Sequence, residues 1–238
     1  MQHVANDHRP RTPQTIFDRV APYYDTLNSL LSLGLDRRWR REAIRALALR
    51  PGARVLDVAT GTGAVASEIV RSTSGTVSVT ACDINERMLS VARSRSLLHG
   101  ARVALVRCDA AKLPFASSSF DAATIAFAID DMPDRDACIG EIARVLAPGG
   151  TIALLELSRP DAPPVRALYD LYLRTFRVVG RFAADGYRHL EQEIRTYRGA
   201  SAIEDLLRRA SFASYRRTNL TLGIARLHVA SKRGVGPS

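Results

Sequence analysis

Acidic residues recur beside a pair of glycines in the first half of the chain. Asp57 stands four positions before Gly61-Thr62-Gly63, and Asp83, Asp109 and the pair Asp130-Asp131 follow. Glycines let a backbone bend sharply and approach a ligand with no Cβ in the way, and a helix opening after them presents unpaired N–H groups. A carboxylate just beyond a later strand can accept hydrogen bonds from a ribose diol, and one beyond the next can reach an adenine amino group. This is the chemistry of a site for an adenosine-containing cofactor.

Gly61-x-Gly63-x-x-Ala66, with Asp83 about 20 residues on, also satisfies the dinucleotide fingerprint. Asp57 separates the two readings. A carboxylate facing a pyrophosphate would meet a like charge, whereas S-adenosyl-L-methionine carries a sulfonium and an ammonium and no phosphate. The methyl donor is the expected cofactor, and a nicotinamide-dependent oxidoreductase is the alternative. Asp57 could also cap the turn backbone, which is compatible with a cofactor role. Asp130 and Asp131 follow the fourth strand, at the rim where an acceptor must approach. Two adjacent acids raise one pKa towards the working range, so one of them is expected to take the acceptor's hydroxyl proton. The plainer alternative makes both of them caps for a helix starting near Asp134.

Regular elements must hold these residues. Val55, Leu56 and Val58 form a short apolar run of the kind a buried parallel strand shows. Residues 76–82, 102–107, 120–127 and 151–157 read as strands two to five. Residues 86–98 and 134–146 read as helices between them, the second stopped by Pro148-Gly149-Gly150. Strands alternating with helices argue for a mostly parallel α/β sheet covered on both faces, its cleft at the carboxyl ends of the strands. A helix over 202–210 and closing strands over 212–218 and 223–231 bring the strands to seven.

Two helical segments flank this core. Residues 14–33 carry apolar residues at three- and four-residue steps, with a bend expected at Pro22. Residues 35–49 form a second helix with Trp39 on one side and Arg37, Arg38, Arg40, Arg41 and Arg45 elsewhere, a solvated face that could also meet lipid head groups. Residues 162–182 are apolar almost all round and need a cover. The expected organisation is a disordered tail (1–13), an N-terminal helical cap (14–50), a cofactor-binding core (51–161), a helical substrate cap (162–200) and a closing helix with two strands (201–238). Folded over the strand ends, the caps would let Tyr23, Tyr24, Phe176 and Tyr187 line a dry pocket for an aromatic ring with a long apolar tail.

Bulk properties narrow the classes. A chain of 238 residues, 46% of them hydrophobic, suffices for one α/β unit with appendages. The net charge of +10 raises nucleic acid as a partner. Lys112 and Lys232 are the only lysines, however, and arginine is scattered through every segment, so no nucleic-acid partner is expected. Three cysteines without metal or redox spacing imply a reducing compartment and no metal site. No apolar run approaches the ~20 residues of a membrane span. A cytoplasmic protein is expected, peripheral at most to the inner membrane face, with a homodimer as a further candidate assembly.

The motifs, in order, resemble those of class I S-adenosylmethionine methyltransferases, and more closely the ubiquinone/menaquinone biosynthesis C-methyltransferase family. They are Phe17-Asp18-x-Val20-Ala21-x-x-Tyr24-Asp25-x-x-Asn28, Ser32-Leu33-Gly34, Trp39-Arg40, Val55-Leu56-Asp57, Gly61-Thr62-Gly63, Asp83-Ile84-Asn85-x-x-Met88-Leu89, Asp109-Ala110-x-x-Leu113-Pro114-Phe115, Arg144-Val145-Leu146-x-Pro148-Gly149-Gly150 and Asn219-Leu220-Thr221-x-Gly223. The resemblance spans residues 17–232 and implies a Rossmann-like class I methyltransferase fold. It places donor contacts on Thr62, Asp83, Asp109, Ala110 and Ala126, with Asp57, Gly61, Gly63, Ile84 and Met88 around them. Acceptor contacts fall on Tyr24, Asp25, Asn28, Tyr187 and Asn219. The implied acceptor is a prenylated quinol such as demethylmenaquinol, or a related phenolic small molecule, methylated at a ring carbon; a secondary-metabolite O- or N-methyltransferase is the runner-up. Three departures bear on the acceptor and leave the donor alone. Ala128-Ile129-Asp130-Asp131 stands where the family shows Gly-Leu-Arg-Asn. Tyr187-x-His189-Leu190-x-x-Glu193-Ile194 replaces Tyr-x-Tyr-Leu-x-x-Ser-Ile, and Arg198 replaces a proline.

Overall fold

A computed structural model of the chain describes residue 18, residues 21–179 and residues 200–234. Its centre is a seven-stranded sheet of β1 (Arg54–Val58), β2 (Ser78–Asp83), β3 (Val103–Arg107), β4 (Phe120–Ala126), β5 (Leu146–Leu157), β6 (Phe212–Leu220) and β7 (Ala225–Lys232), in the order β3-β2-β1-β4-β5-β7-β6. The first five strands are mutually parallel, and β7 runs antiparallel between β5 and β6. The chain moves outward from β1 to β3 and then returns to place β4 on the other side of β1. The crevice at the carboxyl ends of β1 and β4 is therefore the switch point where open α/β sheets bind ligands.

Seven α-helices are described: α1 (Tyr24–Leu31), α2 (Leu35–Ala46), α3 (Ala64–Ser72), α4 (Glu86–Arg93), α5 (Arg135–Val145), α6 (Pro163–Val179) and α7 (Ala200–Arg209). The central strands β1 and β4 are buried on both faces, which is why they read as continuous apolar runs. Leu56, Val58, Ile125, Ile152 and Leu154 pack with Ile139 and Ile142 of α5 and Leu206 and Leu207 of α7. Val55, Val79, Ala153 and Leu155 face the other way, onto Trp39 and Ile44 of α2 and Ile69 of α3. Burying a side chain the size of Leu or Ile contributes about 2 kcal/mol.

Several boundaries differ from the sequence expectation. Pro22 lies in a 3-10 turn (Ala21–Tyr23) that leads into α1, so the bend at this proline is a change of helix type. α2 ends at Ala46, with Ala48 at positive φ, before Pro51-Gly52 is reached. The helix expected over 86–98 breaks into α4 and a separate 3-10 turn (Ser96–Leu98). β5 begins at Leu146, so Pro148-Gly149-Gly150 lies within the strand and does not precede it. Phe120 pairs with Leu146 and Ala122 with Thr151, two steps along β4 against five along β5, so the proline-glycine stretch bulges out of the ladder.

Candidate active site

The glycine turn is shaped from both sides. Gly61 and Gly63 have φ of +56° and +78°, and a Cβ on Gly63 would lie 3.1 Å from the Ala92 Cβ and 3.2 Å from the Leu98 Cδ1. Any side chain there would push α4 and the following turn off the loop. Beneath the turn Asp57 is 1% exposed and accepts hydrogen bonds from the Thr60 hydroxyl at 2.5 Å and the Thr124 hydroxyl at 2.7 Å. Burial pushes its pKa up to about 6 against those two bonds. The Asp83 carboxylate accepts from the Gly61 N–H and the Asn85 N–H, both at 2.8 Å, and burial raises its pKa. Asn85, and not Asp83, caps α4 by accepting from the Met88 N–H. Asp134 likewise caps α5, which leaves Asp130 and Asp131 in a 3-10 turn of their own.

A cavity of about 430 Å³ opens at these strand ends, within the range of a small-molecule site. Gly61, Thr62, Asp83, Ile84, Met88, Asp109, Ala110, Ala126, Tyr24 and Asp131 line it, so most of the expected residues converge there. The others stand elsewhere. Asp57 lies under the loop and does not line the cavity, so the like-charge argument drawn from it does not describe its position. Gly63 spaces the loop from α4 and likewise lies outside the lining. Asp130 turns to Arg135, 3.0 Å away, and lines a separate small recess with Glu156. Asp25 accepts from the Thr62 hydroxyl at 2.7 Å and pairs with Arg95, holding α1 onto the glycine turn without lining the cavity. The Asn28 side chain does not line it, although its carbonyl accepts from the Ser32 N–H. Asn219 is exposed near the end of edge strand β6, with β7 and β5 between it and β4. Tyr187 and the Phe176 side chain lie outside what is described.

Several lining residues escaped sequence reasoning. Arg40, grouped above with a solvated arginine face, is 7% exposed and lines the cavity with its guanidinium 5.7 Å from the Phe127 ring. The signal was Asp36, four residues earlier, which pairs with it. Phe127 and Ala59 follow the adjacent strands β4 and β1, and both line the cavity at positive φ, +55° and +52°. Non-glycine residues in that region cost about 1–2 kcal/mol each and gather where a site requires them. Cys82 and Cys108 also line the cavity and share a hydrogen bond that raises the pKa of the first and lowers that of the second. Among the described residues no His, Cys, Asp and Glu group is placed to hold a metal.

The chain is similar to known proteins along most of its length. The model of the ubiE/COQ5 methyltransferase family matches residues 2–232. A demethylmenaquinone methyltransferase of Parafrankia sp. (strain EAN1pec) is 38% identical over 254 residues, covering 98% of this chain and 99% of that protein. A ubiquinone/menaquinone biosynthesis C-methyltransferase, UbiE, of Geobacter sp. (strain M21) is 38% identical over 226 residues, covering 92% and 95%. In fold the chain matches phosphoethanolamine N-methyltransferase 2 of Haemonchus contortus, solved with phosphomonomethylethanolamine and S-adenosylhomocysteine. The TM-score is 0.62 at 17% identity over 94% of this chain and 61% of that one.

Proposed function

Because the chain belongs to the ubiE/COQ5 methyltransferase family, we propose that it transfers the methyl group of S-adenosylmethionine to a ring carbon of a reduced, prenylated quinol of the demethylmenaquinol kind. The observation that carries this reading is one cavity, at the switch point of a class I methyltransferase sheet, with carboxylates at both ends. Asp83 and Asp109 stand on the β2 and β3 side, and Asp131 stands beyond β4. The residues fit the donor. Asp83, already fixed by two backbone N–H groups, keeps capacity to accept from a ribose diol, and Asp109 with Ala110 borders the place of the adenine. Among the described residues that line the cavity the single cation is Arg40.

When bound, the donor supplies an electrophilic methyl group on a sulfonium. The chain's own residues prepare the other partner. Asp131 takes the proton of the acceptor's hydroxyl at its carboxylate, which drives electron density onto the ring carbon beside that oxygen. Asp131 lines this cavity and Asp130 the separate recess beside Glu156, so the work falls to Asp131 and not to both acids. Tyr24 and Phe127 offer aromatic faces to the ring, and the apolar wall excludes water from the developing phenolate. Tyr172 donates to the Leu31 carbonyl at 3.2 Å and so joins α6 to α1 along the side from which a greasy tail would enter.

Mass spectrometry of products formed with a deuterated methyl donor tests this. A panel of reduced prenylated naphthoquinols, benzoquinols and simple phenols should yield label on a ring carbon of a quinol. Label confined to oxygen or nitrogen, or no transfer to any quinol, would overturn it.

A further inference from the structure

Arg40 is the single cation among the described residues that line the cavity. It is also more than nine-tenths buried. Its Nη1 donates to Asp36, and its guanidinium lies over the Phe127 ring; among the described residues it makes no other contact of either kind. Asp36 is itself anchored, since the Ser32 hydroxyl donates to its other oxygen at 3.0 Å. A guanidinium has five N–H donors in a rigid fork. None of the Arg40 nitrogens is among the enclosed side-chain atoms that lack a partner, so the donors not taken by Asp36 stay accessible at the cavity that Arg40 lines.

Position narrows what they meet. Phe127 follows β4 directly and Asp83 ends β2, with β1 between the two strands. Two strand spacings, about 10 Å, separate these ends. A donor with its ribose at Asp83 must lay its amino-acid portion across β1 towards β4, under Arg40. The donor has one anionic group, the α-carboxylate of its methionine portion, and the cavity has one cation.

Resting on the donor reading above, we propose that Arg40 binds the α-carboxylate of the donor through a forked pair of hydrogen bonds, with Asp36 and Phe127 fixing the plane of the guanidinium. Charge-assisted forked pairs of this kind set orientation as well as affinity. Arg40 thereby fixes how far the methyl group projects past β1 towards Asp131.

Calorimetric titration with two ligands tests it. S-adenosylhomocysteine keeps the carboxylate, and its decarboxylated analogue lacks only that group and retains the amine. The full-length chain should bind the first about ten- to a hundredfold more tightly than the second, a comparison that needs no variant. Arg40→Met should erase that preference, weakening S-adenosylhomocysteine while changing the analogue by no more than about twofold. Arg40→Lys should recover part of the preference. Equal binding of the two ligands by the unsubstituted chain, or a preference that survives in a folded Arg40→Met protein, would overturn the assignment. If the unsubstituted chain binds neither ligand, the donor reading itself fails, and the assignment fails with it.

Discussion

His228 is 0% exposed in β7, with Nδ1 2.8 Å from the Tyr215 hydroxyl and Nε2 without a partner among the described residues. Burial first, then Arg226 and Arg217, pushes its pKa down to about 4. An unfolded histidine titrates near 6.5, so on acidification the unfolded state takes up the proton first and stability is lost between about pH 6.5 and pH 4. About 2.5 pH units at about 1.4 kcal/mol each makes that loss about 3 kcal/mol. Asp57 runs the opposite way. Its folded pKa of about 6 exceeds the ordinary 3.8, so the folded state takes up the proton first and stability rises as the pH falls through that window. The two nearly offset, and only removing one exposes the other. His228→Gln should gain about 2 to 3 kcal/mol relative to the unsubstituted chain between pH 7 and pH 4.5, read from urea midpoints at each pH. A pH-independent difference would show that His228 does not titrate in this range. At this scale the sequence was informative wherever spacing is local: Asp83 and Gly61 meet because one ends a strand and the other opens a turn beside it. Of Arg40 it showed only the partner, Asp36 four residues earlier, because the Phe127 ring beside it comes from a distant strand, and it was silent on which of Asp130 and Asp131 lines the cavity.

The central strands were legible because β1 and β4 are buried on both faces, and the observed limits of the strands other than β5 fall close to the expected ones. The start of β5 was not, because a proline-glycine bulge inside a ladder looks like a loop until its partner strand is known. Helix α1 owes its place to three residues that no periodicity connects. Asp25 accepts from Thr62 of the glycine turn and from Arg95 beyond α4, and Arg95 also donates to the Thr62 carbonyl. The Asp25–Arg95 pair is partly solvated, so its contribution is of order 1 kcal/mol. Arg95→Ala should therefore speed amide exchange in α1 about fivefold, the factor for about 1 kcal/mol, and leave β1 and β4 unchanged. Unaltered protection of α1 by mass-detected hydrogen exchange would mean that other contacts hold it.

Over the whole molecule, several large apolar side chains stay exposed, among them Leu33 at 69%, Leu168 at 68% and Leu222 at 73%. Their elements are neighbours, since Tyr172 joins α6 to α1, and the Trp39 Nε1 donates to the Thr221 hydroxyl at 2.8 Å beside Leu222. Arg37 and Arg38, exposed at the start of α2, follow Leu33 by four and five residues. No described helix is long and apolar enough to cross a membrane, but leucines near arginines suit the surface of an anionic bilayer. Co-sedimentation with vesicles of one-third phosphatidylglycerol should show binding that weakens with salt and falls about tenfold when Leu33, Leu168 and Leu222 all become Ser, about 1.4 kcal/mol. Salt-insensitive or unchanged binding would remove that face from consideration.

The antiparallel insertion of β7 also bears on how the protein is made. β7 is the last of the described strands in sequence, yet its place is inside the sheet, between β5 and β6. While a ribosome is still adding residues after β5, the parallel half is already present with the β5 edge open along Thr151 to Leu157, the span that β7 later covers. Loop closure back to that edge must await the synthesis of β7 itself, and an unpaired apolar strand recruits other chains in the meantime. Chaperone demand and misassembly during translation should therefore centre on this one edge, and slower elongation beyond β5 would lengthen the exposure.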